Sequence, residues 1–142
     1  MKAKFISTEG EYLVAIIEVN GKKLHVMDEF STEALSSGET VYLEIVPGLY
    51  YEKEEWESMF TGNPEAKKEL EHQSSWRYRA YGIVTSIKPV MVDVGLFEIE
   101  APIESNDEAL VGESVAFTIE RLDASPANKS TQATPKSGAP GF

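Results

Sequence analysis

The 142-residue chain contains no cysteine. This absence excludes a disulfide framework, a thiolate metal site and a thiol nucleophile. It is in keeping with a reducing compartment, and we expect a cytoplasmic protein. Long apolar runs are missing as well, since the best run near the N-terminus covers only residues 12–17 and is followed by Glu18. A bilayer needs about 20 apolar residues, so we expect neither a membrane span nor a signal peptide.

Histidines and catalytic motifs are also scarce. His25 and His72 are the only histidines, and they lie in unrelated segments without the spacing of a zinc motif. The chain has no nucleophile elbow, no phosphate loop and no dinucleotide fingerprint. Paired acids do acid–base chemistry only when they are buried, and those present here lie in polar runs. The sequence therefore predicts a protein that is not an enzyme and that uses no metal and no cofactor.

Basic residues are few compared with acidic ones. The chain has 24 acidic and 13 basic residues, which gives a formal net charge of −11. Such a surface repels nucleic-acid phosphates and anionic lipids and attracts basic proteins. The same charge is also typical of proteins that are acidic for solubility alone. The charge thus favours a basic protein partner over nucleic acid or membrane, and it carries no information on oligomeric state.

The last 19 residues differ from the rest of the chain in composition. Residues 124–142 are rich in Ser, Thr, Pro, Ala and Gly and contain two lysines and no acid. A segment with so little apolar surface cannot offset the entropy lost on ordering. We predict a disordered tail over 124–142 and a single β-rich domain over 1–123.

An Asn-Gly pair at residues 20–21 separates two apolar segments, 12–19 and 22–27. This pair is the strongest short-range signal for a two-residue hairpin, because both central residues of the turn need positive φ. The hairpin fixes which residues lie opposite each other. The predicted pairs on the core face are Val19–Lys22, Ile17–Leu24 and Ala15–Val26.

Two similar stretches occur in the chain, GETVYLEIVPG at residues 38–48 and GESVAFTIERL at residues 112–122. In both, apolar residues alternate with polar ones, which predicts strands with one buried face. A hairpin precedes each stretch, over residues 12–27 and about 78–94. We therefore predict a mainly β fold, a small barrel or sandwich of about six to eight mostly antiparallel strands. It is either similar to an oligonucleotide-binding barrel or built from duplicated three-strand units. The inward residues are Val41, Leu43 and Ile45 in one stretch and Val115, Phe117 and Ile119 in the other.

Residues 50–75 predict a helical insertion of one or two short helices. Trp56, Met59 and Phe60 lie at helical spacing. Asn63 followed by proline predicts the start of a second helix. A helix between strands resembles the topology of oligonucleotide-binding (OB) barrels, although the predicted strands outnumber the five of that fold.

The acidic start of this insertion is the leading candidate for a binding surface. An aromatic side chain among charges is a typical anchor at protein interfaces. We predict a small, non-enzymatic interaction domain that binds a basic partner, for example as an inhibitor, an immunity-type protein or a nucleic-acid mimic. The predicted partner-binding residues are Glu52, Glu54, Glu55, Trp56 and Glu57.

The stretch WRYRAYG at residues 76–82 supports an alternative function. Interleaved aromatic and cationic side chains on a strand are typical of proteins that stack single-stranded nucleic acid. An OB-like module would use Trp76, Arg77, Tyr78, Arg79 and Tyr81. In the other interpretation, Trp76 and Tyr78 cover the core and the arginines pair with carboxylates. The net negative charge favours that interpretation.

Overall fold

The computed structural model describes residues 1–9, 13–30 and 35–127. They form nine strands of one mostly antiparallel sheet and a single short α-helix. This confirms the predicted mainly β fold class. The strands are β1 (Lys2–Glu9), β2 (Val14–Val19), β3 (Lys22–Asp28), β4 (Thr40–Tyr50), β5 (Glu69–Ser74), β6 (Arg77–Ile87), β7 (Val90–Asp93), β8 (Glu98–Glu100) and β9 (Ser114–Pro126), and the helix is α1 (Trp56–Thr61). In these ranges, no helix has the length and apolar character that a membrane crossing requires.

The chain divides into two compact units. Unit 1 consists of Met1–Ile45 and the chain from Asp123 onward, and unit 2 consists of Val46–Leu122. Both boundaries fall inside strands, because β4 and β9 each continue from one unit into the other. No change in composition marks the boundary at Ile45, and the boundary at Asp123 lies beside the start of the predicted tail, so the sequence predicts one domain. Of the predicted tail, residues 124–126 are the end of β9, and 128–142 lie outside the described residues.

Unit 1 contains the predicted hairpin. β2 and β3 pair in the predicted register, with Val19 opposite Lys22 and Ile17 opposite Leu24. β1 pairs with β2 on one edge and with the start of β4 on the other. Sequence reasoning missed β1, because it buries only Ala3 and Phe5 among its eight residues.

Unit 2 is organised around β6, the long strand in its centre. One edge of β6 pairs with β9, and the other pairs first with β5 and then with β7. Val115, Phe117 and Ile119 of β9 are buried as predicted, but Ala116 and Thr118 are buried as well, so the prediction of a single buried face is wrong for this strand. Tyr78 of β6 lies opposite Ile119 and is 1 % exposed. The core of this unit therefore lies on the face of β6 and β9 that these side chains share.

The second predicted helix is wrong, because part of that segment forms β5. Asn63 does not act as an N-cap. Its Oδ1 accepts from the Lys67 backbone N–H at 2.9 Å, and its Nδ2 donates to the carbonyls of Lys67 and Gly82 at 3.0 and 3.3 Å. Ala66 has a φ of 53°, which interrupts any helix. Pairing with β6 thus overrides the local helical preference of the polar residues that follow.

Tyr50 at the end of β4 is held in unit 2 by two contacts. Its ring lies edge-on to Phe117, with the ring centroids 6.2 Å apart, and its hydroxyl donates to the carbonyl oxygen of Glu100. Burial, together with the nearby Glu100 carboxylate, raises the pKa of Tyr50 to about 12. The neutral phenol is thus the form that the fold stabilises.

We expect Tyr50→Phe to change how stability depends on alkaline pH. A tyrosine in the unfolded chain has a pKa of about 10, so the contribution of Tyr50 is complete below pH 10 and is lost as pH rises towards 12. The variant should be less stable than wild type below pH 10, and the difference in unfolding free energy should narrow as pH rises from 10 towards 12. Urea unfolding of both proteins across this range measures the difference. A difference in unfolding free energy that stays constant across this pH range would contradict the prediction.

Candidate functional site: the surface of helix α1

The exposed side chains of Glu52, Glu55, Trp56 and Glu57, together with Phe60, form what we call the α1 surface. Trp56 is 50 % exposed, and its ring contacts that of Phe60 at a centroid distance of 4.9 Å and an interplanar angle of 33°. The three carboxylates are exposed. The structure therefore brings four of the five predicted partner-binding residues to solvent.

The buried side of α1 explains why these residues face outward. Met59 is 3 % exposed and is the buried residue of the helix. The helix ends at Gly62, where a Cβ would lie 2.8 Å from the carbonyl oxygen of Ser58 and 3.1 Å from the Cβ of Ala116. The C-terminal end of α1 thus packs closely on β9, and Trp56 and Glu57 lie in the first turn of the helix.

Glu54 has a different environment from the other predicted residues. Its Oε1 accepts from Arg79 Nη1 at 2.7 Å and from the Thr118 backbone N–H at 2.6 Å. The side chains of Glu54 and Arg79 are only 11 % and 22 % exposed. Glu54 follows the end of β4, and its carboxylate accepts a hydrogen bond from a backbone N–H of β9. This residue therefore stabilises the fold and is not part of the α1 surface.

Acidic residues outnumber basic residues about two to one in unit 2. Residues 46–122 contain 15 acidic and seven basic residues. Ion pairs join Lys68 to Asp93 at 3.3 Å, Arg77 to Glu120 at 3.1 Å and Arg79 to Glu54 at 2.7 Å. Lys67 Nζ lies 4.1 Å from the centroid of the Tyr81 ring. The three glutamates of the α1 surface take part in none of these pairs.

The WRYRAYG stretch does not form an open stacking platform. Tyr78 is buried, and Trp76 is half-buried in the turn before β6. Arg77 and Arg79 each contact a carboxylate, as the alternative interpretation of the sequence predicts. Tyr81 is half-buried beneath the Lys67 ammonium group. Burial therefore removes Tyr78 from any stacking surface, and both arginines already contact a carboxylate, although the Arg77 side chain stays 42 % exposed.

A cleft of about 500 Å³ lies between the β6–β7 hairpin and residues 100–106. Its carboxylates, Glu100 and Glu104, are both exposed. An exposed pair lacks the low-dielectric surroundings that make a carboxylate a general acid. Within residues 1–9, 13–30 and 35–127, no three His, Asp or Glu side chains lie close enough together to hold a metal ion.

Sequence reasoning missed two apolar residues beside the acidic run. Leu49 and Tyr51 are 51 % and 39 % exposed. The period-two pattern of Leu43 and Ile45 places residues 49 and 51 on the buried face, but there Tyr50 packs on Phe117 instead. The alternation therefore changes phase near Pro47 and Gly48, and extending the pattern of the strand would not have identified Leu49 and Tyr51 as exposed.

Comparisons with models of protein families, with curated proteins and with solved structures find no match to this chain.

Proposed function

We propose that this protein is a small, non-enzymatic interaction domain whose α1 surface binds a basic protein partner. The observation that carries the proposal is the half-exposed Trp56, stacked on Phe60 and flanked by three exposed glutamates that form no ion pair with another residue described by the structure. Exposing a large aromatic ring to water is unfavourable, and burying the ring against a partner protein is favourable.

The aromatic pair supports a role as an anchor. Tryptophan is enriched among the residues that dominate binding energy at interfaces, because it buries a large area at little cost in conformational entropy. Contact with Phe60 restricts the Trp56 ring before any partner arrives, and this reduces the entropy lost on binding. Leu49 and Tyr51 add exposed apolar area nearby in the chain.

The surrounding carboxylates support a basic partner. Charges at the rim of an interface contribute more to association rate and partner choice than to affinity. Glu52, Glu55 and Glu57 attract lysine and arginine side chains and repel nucleic acids and acidic proteins. Binding should weaken as salt rises, because these charges are exposed and are screened.

We expect Glu52→Gln/Glu55→Gln/Glu57→Gln to weaken the binding of a basic peptide about tenfold, which is the combined effect of three exposed ion pairs. The probe is a fluorescein-labelled 12-residue peptide of lysine, arginine and leucine, and its anisotropy reports Kd at low and at physiological salt. Trp56→Ala should weaken binding at least as much and should leave the salt dependence in place, because it removes the anchor and not the charge.

The matched control is Glu104→Gln/Glu108→Gln/Glu113→Gln. These three glutamates are exposed in unit 2, and the variant changes net charge by the same amount. It should bind the peptide nearly as well as wild type. Equal losses in both triple variants would show that only net charge matters, and this would overturn the proposal, as would the absence of any binding.

A further inference from the structure

Strand β5 exposes one of its edges. It pairs with β6 on one side, and among the described residues no strand pairs with its other side. An open strand edge presents unpaired backbone N–H and C=O groups, which other chains can extend. Such edges are a common mode of peptide recognition.

Hydrogen bonds of β6 determine which backbone groups of β5 lie on the open edge. The carbonyl of Trp76 accepts from the Leu122 N–H at 2.9 Å, and the N–H of Val84 donates to the Glu113 carbonyl at 2.9 Å. Both contacts point towards β9. Because backbone groups alternate along a strand, the even-numbered residues of β6 point to β9 and the odd-numbered residues point to β5.

The register of β5 on β6 extends this alternation. Tyr81 and Arg79, which point to β5, lie opposite Glu69 and Glu71. Those two glutamates therefore use their backbone groups on β6. Leu70 lies between them, so its N–H and C=O point away from β6, to the open edge.

The side chains of β5 restrict what can add to this edge. Glu69 and Glu71 are exposed and lie on one face, two residues apart. A second copy of β5 would place glutamates opposite glutamates, which is unfavourable. A strand with lysine or arginine at alternate positions would place cations there. Glu71 of this strand lies opposite Arg79, which also binds Glu54, the residue that precedes Glu55 of the α1 surface in the chain.

We infer that β5 accepts an extended basic segment of the partner as an additional strand. The segment bonds the N–H and C=O of Leu70 and places its cations beside Glu69 and Glu71. This inference rests on the proposed function, since it specifies the conformation of the basic partner that also contacts the α1 surface.

The test uses a labelled peptide, Thr-Lys-Val-Lys-Val-Lys-Thr, and two N-methylated forms. Each form is methylated on one of the two alternate sets of residues. An added strand forms backbone hydrogen bonds to β5 through only one of these two sets. The form methylated on that set should bind at least tenfold more weakly, and the other form should bind like the unmethylated parent. The parent should also slow hydrogen exchange at the Leu70 amide at least tenfold. Glu69→Gln/Glu71→Gln should weaken binding about fivefold, and Glu104→Gln/Glu113→Gln should not.

The outcomes separate this inference from the proposed function. If all three peptides bind equally and Leu70 exchange is unchanged, while Glu52→Gln/Glu55→Gln/Glu57→Gln still weakens binding, strand addition is overturned and the proposed function stands. If none of the peptides binds, the inference is overturned together with the proposed function.

Discussion

Replacing Glu54 with alanine is expected to destabilise the protein by about 3 kcal/mol, the lower end of the cost of breaking a mostly buried ion pair. The change leaves the Arg79 guanidinium in the fold with only the Thr118 hydroxyl, which accepts from it at 2.9 Å. It also leaves the backbone N–H of Thr118 without its acceptor, and Thr118 is a buried residue. Urea denaturation of the variant and of wild type measures the difference.

The neighbouring residue gives a matched control for this prediction. Glu55→Ala removes the same charge at an exposed position that has no ion pair within residues 1–9, 13–30 and 35–127, so we expect a change within about 0.5 kcal/mol. The two variants should also differ in peptide binding per folded molecule, since only Glu55 belongs to the α1 surface. If both variants lost the same stability, the Glu54–Arg79 bond would have no special role.

We expect Gly82→Ala to destabilise unit 2 by about 3 kcal/mol, at the upper end of the usual cost of overpacking. A Cβ at Gly82 would lie far inside van der Waals contact with the Asp93 carbonyl oxygen and with Val92 Cγ1. One is backbone and the other belongs to a buried valine, so neither yields easily. β7 would have to move away from β6, and the pairing of Val84 with Val92 would weaken.

Gly112→Ala separates this steric effect from backbone strain. Gly112 has a φ of 96°, but no atom lies within 4 Å of its added Cβ. Its substitution should cost about 1.5 kcal/mol through the left-handed backbone alone. Thermal or urea unfolding of both variants tests the order, and a Gly82→Ala protein as stable as Gly112→Ala would contradict the close approach of β7.

Local signals in the sequence predicted much of the sheet. The register of β2 on β3 follows from the Asn-Gly turn and from alternation. Alternation also predicts the burial of Val115, Phe117 and Ile119 in β9, but it does not account for the burial of Ala116 and Thr118 on the other face. β5 could not be predicted in this way, because EAKKELEHQ favours a helix locally. The bonds that make it a strand come from β6, later in the chain, and from the Asn63 side chain.

The same limit applies to the candidate site. Glu54 and Glu55 are adjacent and chemically identical, so no local pattern distinguishes them. Their roles differ because Arg79 and Thr118, which bind Glu54, lie 25 and 64 residues away in the chain. The helix of Trp56 could be predicted because the spacing of Trp56, Met59 and Phe60 is local, and the role of Trp56 as an anchor stays a prediction.

The division of the chain between the two units bears on how the protein assembles during synthesis. Unit 2 is one continuous stretch, whereas unit 1 needs residues from both ends, as in the pairing of Met27 with Asp123. Contacts between residues so distant in sequence form slowly, because closing the intervening loop costs entropy. A nascent chain can therefore begin to organise its middle while the ribosome is still translating it. In unit 1 the local β2–β3 hairpin can also form early, but the pairing of β3 with β9 has to wait until β9 has emerged.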